Sequence, residues 1–173
     1  TTVEPGYSAA TLGAWTFADA PGTSGWQYFV HANSTGSTYK GGTGMNDPLY
    51  INYGAYVEGA DYSCMARSPI TTVTSGNSCT GTISITSSEN IGAAGDKVVG
   101  AAVYAYNSST GEYTWLASAS EEDTNVVADT KTTFHINYTA PETGKIVYIL
   151  TTSYTPVATL KFEATHSEET PTT

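Results

Sequence analysis

The chain has 173 residues, of which 13% are charged, and it carries a net charge of −10 at neutral pH. Only six residues are Lys or Arg, so the chain lacks the clustered cations that neutralise phosphates. This excludes nucleic acid as a partner and disfavours an anionic membrane surface. No apolar run approaches the roughly 20 residues of a membrane-spanning helix, so we predict no membrane insertion.

The first part of the chain predicts a polar arm, residues 1–8, followed by a strand over residues 9–18. In that strand Leu12 lies on one face, while Trp15 and Phe17 lie on the other. Apolar residues on both faces are typical of a strand that is buried on both sides. Residues 26–31 predict a second strand, and the Gly-, Ser- and Thr-rich residues 33–47 predict a long loop.

Residues 48–62 are rich in tyrosine, and two interpretations are open. The rings cover one face of a sheet, or they form a surface on which sugars stack. In the second interpretation the sugar-binding residues are Trp26, Tyr50, Tyr53 and Tyr56.

Residues 98–165 predict successive strands joined by short turns. Residues 98–106 and 113–118 flank a segment of Asn, Ser and Gly that suits a hairpin. Over residues 132–139, Phe134 and Ile136 alternate with His135 and Asn137, the period of two expected of a half-buried strand. We therefore predict an all-β chain with one antiparallel β-sandwich over residues 9–165, and a polar C-terminal tail over residues 166–173 that does not fold by itself.

Two cysteines, Cys64 and Cys79, are close enough in sequence to form a disulfide. The bridge would close a loop of about 15 residues and contribute roughly 3 kcal/mol to stability; two separate buried thiols are the alternative. A disulfide indicates a secreted or cell-surface protein. Because the first residues lack the basic and apolar regions of a signal peptide, we expect the chain to be already processed.

Three asparagines, Asn33, Asn107 and Asn137, match the acceptor pattern for N-glycosylation. Asn107 falls in the predicted hairpin turn and Asn137 on the wet face of a predicted strand. A glycan at either position would leave the core undisturbed, so we predict a glycoprotein.

No pattern in the sequence indicates an enzyme. There is no Gly-x-Ser-x-Gly motif, and the three histidines share no metal-ligand spacing with each other or with a cysteine. A carboxylate pair for glycoside hydrolysis is the alternative left open, because such pairs meet only in three dimensions. We predict no catalytic residue and no organic cofactor.

The densest carboxylate group comprises Glu121, Glu122, Asp123 and Asp129. Hard oxygen ligands in a loop between strands suit calcium, so these four residues are the predicted calcium ligands. The alternative is a solvated acidic loop that discourages strand pairing at an edge.

Two resemblances follow from these segments. The run that includes Tyr104, Trp115, Phe134 and Phe162 resembles the later strands of jelly-roll carbohydrate-binding modules. That resemblance implies a β-sandwich that often holds a structural calcium and binds sugars through aromatic side chains. The arm and residues 9–18 resemble secreted filament subunits that polymerise by donor-strand exchange, which implies that Leu12, Trp15 and Phe17 insert into another copy.

The sequence thus supports two functional hypotheses. The first is a structural subunit of an extracellular or cell-surface filament or layer, whose partners are copies of itself. The alternative is a non-catalytic carbohydrate-binding or adhesion module, whose partners are glycans.

Overall fold

A computed structural model of the chain describes residues 17–20, 25–30, 38–41, 48–53, 64–91, 99–121, 124–152 and 158–171. These residues form strands joined by turns, with no helix among them. The twelve strands in this part of the chain are β1 (Ala18–Asp19), β2 (Gln27–Val30), β3 (Thr38–Gly41), β4 (Leu49–Tyr53), β5 (Cys64–Arg67), β6 (Thr71–Val73), β7 (Ser78–Ser87), β8 (Val99–Asn107), β9 (Glu112–Ser118), β10 (Thr132–Thr139), β11 (Gly144–Thr152) and β12 (Ala158–Glu169).

The strands form two antiparallel sheets. The larger sheet has the order β1-β2-β5-β11-β8-β9, with β6 also paired to β11, and the smaller sheet has the order β10-β7-β12-β4-β3. The chain therefore crosses between the sheets repeatedly, as in a jelly roll. The predicted all-β sandwich is confirmed.

The main core lies between the two sheets. On β10, Phe134 and Ile136 are buried while His135 and Asn137 are exposed, as their alternation predicts. The inward side chains of the other sheet include Val103, Tyr148 and Leu150, all buried. Trp26 belongs to the same core.

The structure differs from the predicted elements in two places. β3 lies inside the predicted loop of residues 33–47 and pairs with β4. β12 continues into the predicted tail as far as Glu169, which pairs with Ser78 of β7. Both segments are polar, and their strands are held by backbone hydrogen bonds that require no apolar side chain.

The predicted disulfide is absent, because Cys64 and Cys79 are both free thiols. Cys64 lies on β5 of the larger sheet and Cys79 on β7 of the smaller one. Packed sheets are about 10 Å apart, whereas a disulfide needs Cα atoms within roughly 7 Å. Burial raises the pKa of the Cys64 thiol to about 12, so this side chain stays protonated. The alternative of two separate buried thiols is the one that the structure shows.

The described residues contain no helix of the length and apolar character that would cross a membrane.

Gly81 on β7 is required by the close approach of Tyr148 from the opposite sheet. A Cβ atom at Gly81 would overlap the Tyr148 ring. That ring has no room to move, because Tyr148 is buried and its hydroxyl contacts Tyr138 at 2.9 Å and His166 at 2.6 Å. The absence of a side chain at Gly81 is therefore a packing requirement.

We expect Gly81→Ala to lower the free energy of unfolding by roughly 1–3 kcal/mol, the usual cost of overpacking a core. Urea unfolding followed by tryptophan fluorescence measures this. Gly100→Ala on β8 is the matched control, since a Cβ there meets no atom within 4 Å, and its effect should stay within about 0.5 kcal/mol. Equal effects of the two substitutions would contradict the packing argument.

Candidate functional site

The outer face of the larger sheet carries a second apolar cluster, on the side away from the main core. Four half-buried rings, those of Phe17, Phe29, Tyr106 and Trp115, pack against it. We call the cluster and these rings the outer aromatic layer. Its buried members are Met65, Ala102, Tyr104, Tyr113, Val147 and Ile149.

Strands β8 and β9 place four of these aromatic residues in two facing pairs. Tyr104 lies opposite Trp115, and Tyr106 lies opposite Tyr113. A register shift next to Tyr104 leaves Leu116 as an extra residue on β9. This bulge lets Tyr113 and Trp115 point outward while Ala117 points into the main core.

Tyr113 is at the centre of the ring contacts. Its ring centroid lies 5.9 Å from that of Phe17, 6.3 Å from that of Tyr104 and 5.0 Å from that of Tyr106. Rings at these separations attract one another in tilted and edge-to-face arrangements. The layer is therefore a packed aromatic surface with fixed geometry.

Arg67 supplies a charge within this layer and is only 4% exposed. Its Nη1 donates a hydrogen bond to the Tyr113 hydroxyl at 3.1 Å, and its guanidinium lies 5.0 Å from the centre of the Tyr106 ring. Burial raises the pKa of Tyr113, and the nearby Arg67 offsets this rise only in part. Tyr113 is thus a neutral phenol at physiological pH.

Two buried polar atoms beneath the layer have no hydrogen-bond partner among the described residues. They are Nε of Arg67 and Oγ1 of Thr151. Buried polar atoms of this kind usually have a protein, water or ligand partner. Because both atoms are buried beneath the rings, a molecule bound on the layer does not contact them directly.

The outer face of the smaller sheet has a different chemical character. Polar side chains contact one another across its strands. The hydroxyls of Thr82 and Thr165 are 2.5 Å apart, and the Thr80 hydroxyl donates to Oδ1 of Asn137 at 3.1 Å. Its described aromatic residue Tyr50 lies near the Lys161 ammonium, 5.9 Å from the ring centre. Only one of the two outer faces, as far as they are described, is lined by a cluster of rings.

A groove of about 570 Å³ adjoins the layer at Tyr106. It lies where the β8–β9 hairpin meets the turn before β11, and it contains the charged side chains of Glu112 and Lys145. Lys145 Nζ donates to Ser108 Oγ at 3.1 Å across one wall. Tyr106 thus borders both the apolar layer and a polar groove.

The structure does not bring the predicted sugar-binding residues together. Trp26 is fully buried in the main core, so its assignment to a sugar surface is wrong. Tyr50 lies on the smaller sheet. The Tyr53 side chain and all of Tyr56 lie outside the described part of the chain.

The residues of the layer were missed because they come from strands that are distant in sequence. One signal was present: residues 98–106 are apolar or aromatic at nearly every position, which is typical of a strand covered on both faces. That pattern predicts a second apolar layer but does not name the partner strands.

The predicted calcium ligands are only partly described. Glu121 is engaged with His135, whose Nδ1 and backbone N–H lie 2.7 and 2.9 Å from its carboxylate oxygens. Burial acts to raise the pKa of Glu121, but the hydrogen bonds from His135 outweigh it and the pKa falls below its usual value. Asp129 is exposed, and Glu122 and Asp123 lie outside the described residues. Calcium binding stays a prediction.

Glycosylation also stays a prediction. Asn107 and Asn137 are both exposed, and Asn107 Oδ1 accepts hydrogen bonds from the backbone of Ser109 and Thr110 in the predicted turn. Asn33 lies outside the described residues.

Self-assembly through residues 9–18 stays a prediction for a similar reason. Leu12 and Trp15 lie outside the described residues. Phe17 packs on Tyr113 of its own chain, and β1 pairs with β2 of its own chain. These contacts are intramolecular.

Comparison with known proteins finds solved structures with a similar fold. No family model and no curated protein matches the sequence. Among solved structures, a cyclase from Fischerella sp. TAU is similar with a TM-score of 0.53 and 16% identity, covering 98% of this chain and 94% of that one. A CBM4 carbohydrate-binding module gives 0.50 and 14%, covering 83% and 86%. The CBM22-1 xylan-binding domain of Paenibacillus barcinonensis Xyn10C gives 0.50 and 9%, covering 87% and 90%.

At these identities the comparisons establish the fold and nothing finer. The sandwich of this chain is of the kind found in carbohydrate-binding modules. The same architecture also occurs in a chain described as a cyclase, so function has to be argued from the residues of this chain.

The hydrogen bond from Arg67 to Tyr113 generates a test of the layer. Tyr113→Phe removes the acceptor and leaves a buried guanidinium donor unpaired, so we expect a loss of about 1–3 kcal/mol in unfolding free energy. Combining it with Arg67→Met removes the unpaired donor, so the double variant should be more stable than the sum of the single effects predicts. Urea unfolding of all four proteins measures the coupling.

Tyr106→Phe serves as the control, because it makes the same change on a neighbouring ring of the layer. Its effect should be within about 0.5 kcal/mol. Additive effects of Tyr113→Phe and Arg67→Met would show that the contact contributes nothing.

Proposed function

We propose that this chain is a non-catalytic carbohydrate-binding module that binds a neutral polysaccharide on the outer aromatic layer. The observation that carries the proposal is the layer itself. Half-buried rings on an outer sheet face have one side packed on the protein and part of their surface available to a ligand. Apolar side chains that are grouped on one face and remain partly accessible are a common feature of binding surfaces.

The chemistry of sugars fits such a surface. A pyranose ring presents an apolar face of C–H groups and carries its hydroxyls at the rim. Trp115 and Tyr106 offer flat, polarisable rings to that face. Polar groups of the adjoining groove, such as Glu112 and Lys145, orient the ligand, and an apolar surface with a few fixed polar groups is the usual composition of a ligand site.

The charge of the chain favours a neutral ligand. At a net charge of −10, long-range repulsion slows the approach of a polyanion. Arg67 is nearly buried and already contacts Tyr106 and Tyr113, so it does not offset this repulsion. A polysaccharide without carboxylates or sulfates is not repelled by the net charge of the chain.

The absence of catalysis is part of the proposal. General acid–base work needs groups whose pKa lies near the working pH. Arg67 stays charged, and the pKa of Tyr113 is raised above its already high value. Neither group exchanges protons near neutral pH, which supports binding rather than turnover.

Two solved structures with this fold are described as a CBM4 module and a xylan-binding domain. They make xylan a reasonable first probe for this chain. The free thiols of Cys64 and Cys79 remove the disulfide as an argument for a secreted or cell-surface location. The proposed binding of polysaccharides supports that location instead.

The test is binding to soluble xylan and hydroxyethylcellulose, with polygalacturonate as an anionic comparator, by affinity electrophoresis and tryptophan fluorescence. We expect binding to a neutral polymer, and a loss of about tenfold in affinity, equivalent to about 1.4 kcal/mol, in Trp115→Ala. Tyr106→Ala provides a second variant on the same face. Circular dichroism and thermal melts establish that each variant is folded.

Tyr50→Ala is the matched control, because Tyr50 is a half-buried ring on the other sheet. It should leave binding unchanged. If Tyr50→Ala weakens binding and Trp115→Ala does not, the ligand lies on the wrong face for this proposal. Binding of 4-(1H-indol-3-yl)butan-2-one, the ligand in one complex of the Fischerella protein, without binding of any polysaccharide would overturn it.

A further inference from the structure

A cluster of metal-ligand residues lies at the end of the main core where β7 begins. The inward positions of β12 change there from apolar residues to His166 and Glu168. Glu168 lies opposite Cys79 of β7 in the strand register, and His166 lies opposite Gly81. Cys79, His166 and Glu168 thus converge from two neighbouring strands.

The distances within the cluster are close to those of a coordination shell. Cys79, His166 and Glu168 each offer one ligand atom, and these atoms lie within 4.8 Å of one another. His166 Nε2 is 3.6 Å from Glu168 Oε1. In a tetrahedral zinc site, with bonds of about 2.0–2.1 Å to N and O, the separation of two such ligands is roughly 3.4 Å.

The carboxylate of Glu168 is held in place through one oxygen. Its Oε2 accepts hydrogen bonds from the backbone N–H of Thr74 and from Nδ2 of Asn77, both at 2.8 Å. These bonds lower the pKa of Glu168, so the side chain is an anion at neutral pH. Oε1, the oxygen that faces His166, is the one that remains for a ligand role.

The His166 ring is held through its other nitrogen. Nδ1 lies 2.6 Å from the Tyr148 hydroxyl, while Nε2 is buried and has no hydrogen-bond partner among the described residues. The side chain of His166 is 10% exposed. A histidine with one nitrogen fixed by a neighbour and the other directed at a thiol and a carboxylate has the arrangement of a metal ligand.

One assignment of protons connects His166 to Cys79 through two tyrosine hydroxyls. His166 Nδ1–H donates to the Tyr148 hydroxyl, and Tyr148 donates to the Tyr138 hydroxyl at 2.9 Å. Tyr138 in turn donates to the sulfur of Cys79. In this arrangement Nε2 carries a lone pair, and Cys79 is a thiol that donates to the Asn77 carbonyl oxygen at 3.7 Å.

We propose that Cys79, His166 and Glu168 form a zinc site, with Nε2, Oε1 and the thiolate sulfur as three protein ligands and water in the fourth position. The thiol of Cys79 gives its proton to solvent when the ion binds. Sulfur, imidazole and carboxylate ligands around a tetrahedral centre are the donor set that zinc takes in proteins.

A bound cation also completes the contacts of the cluster. It gives the buried Nε2 of His166 a partner and balances the negative charge of the Glu168 carboxylate beside it. This site joins β7 to the C-terminal end of strand β12 and is independent of the polysaccharide surface.

The experiment titrates Co²⁺ into the full-length reduced chain, with a phosphine reductant present, and follows the absorption spectrum. We expect one ion per chain, a thiolate-to-cobalt charge-transfer band, and visible bands of the intensity typical of four-coordinate cobalt. Zinc should displace the cobalt and bleach the spectrum. Zinc should also raise the melting temperature, since an ion that binds only the folded chain stabilises it.

Three variants locate the site. Cys79→Ser should abolish the charge-transfer band, and Glu168→Gln, at a partly exposed position, should weaken zinc binding by at least about tenfold while the chain stays folded. Tyr148→Phe removes the hydroxyl beside His166 Nδ1, and a loss of about 10- to 100-fold in affinity is expected for a positioning residue of this kind. Thermal melts in the presence of chelator show that each variant is folded.

His135→Gln is the matched control, because His135 also pairs with a carboxylate, that of Glu121, but has exposed surroundings. It should leave cobalt binding unchanged. The proposal is overturned if the wild-type chain gives no thiolate band, or if Cys79→Ser and Glu168→Gln bind zinc as the wild type does. Loss of binding in His135→Gln alone would assign the ion to that surface pair instead.

Discussion

The structure depends on β11, which is covered on both faces. Its residues from Ile146 to Thr152 are all buried, with Tyr148 and Leu150 in the main core and Val147 and Ile149 in the outer aromatic layer. A strand that is apolar on both sides forces the larger sheet to be covered twice, once by the smaller sheet and once by additional side chains. The aromatic residues of β8 and β9 form part of that second cover.

This constraint makes the two outer faces of the sandwich chemically unequal. The smaller sheet covers the core with one face and leaves polar side chains on its outer face, as Thr82, Thr165 and His135 show. The larger sheet leaves half-buried rings at its surface. The binding surface that we propose for sugars therefore follows from how this sheet is covered, and it needs no cavity dedicated to the ligand.

The sequence predicted strands correctly where one face of the strand is exposed to water and the other is buried. β10 was identified within its observed bounds because Phe134 and Ile136 alternate with polar residues, whereas β3 was missed because its polar sequence carries no period. The prediction of a disulfide was wrong because closeness in sequence does not determine which sheet a cysteine lies in, and Cys64 and Cys79 lie in different sheets. The layer and the Cys79–His166–Glu168 cluster were missed because each is assembled only by strand register. Arg67 and Trp115 reach the layer from different strands, and Cys79 and His166 lie on the neighbouring strands β7 and β12.

The position of β12 has a consequence for synthesis. It lies between β7 and β4, so the β3–β4 hairpin and the β7–β10 pair are connected in the smaller sheet only through β12, which follows all four of these strands in the chain. Until residues 158–169 are synthesised, β4, which carries Leu49, and β7, which carries Ile83, cannot join the same sheet. Strand pairings this distant in sequence form slowly, and the nascent chain therefore exposes two unpaired strand edges for longer than its size alone would suggest.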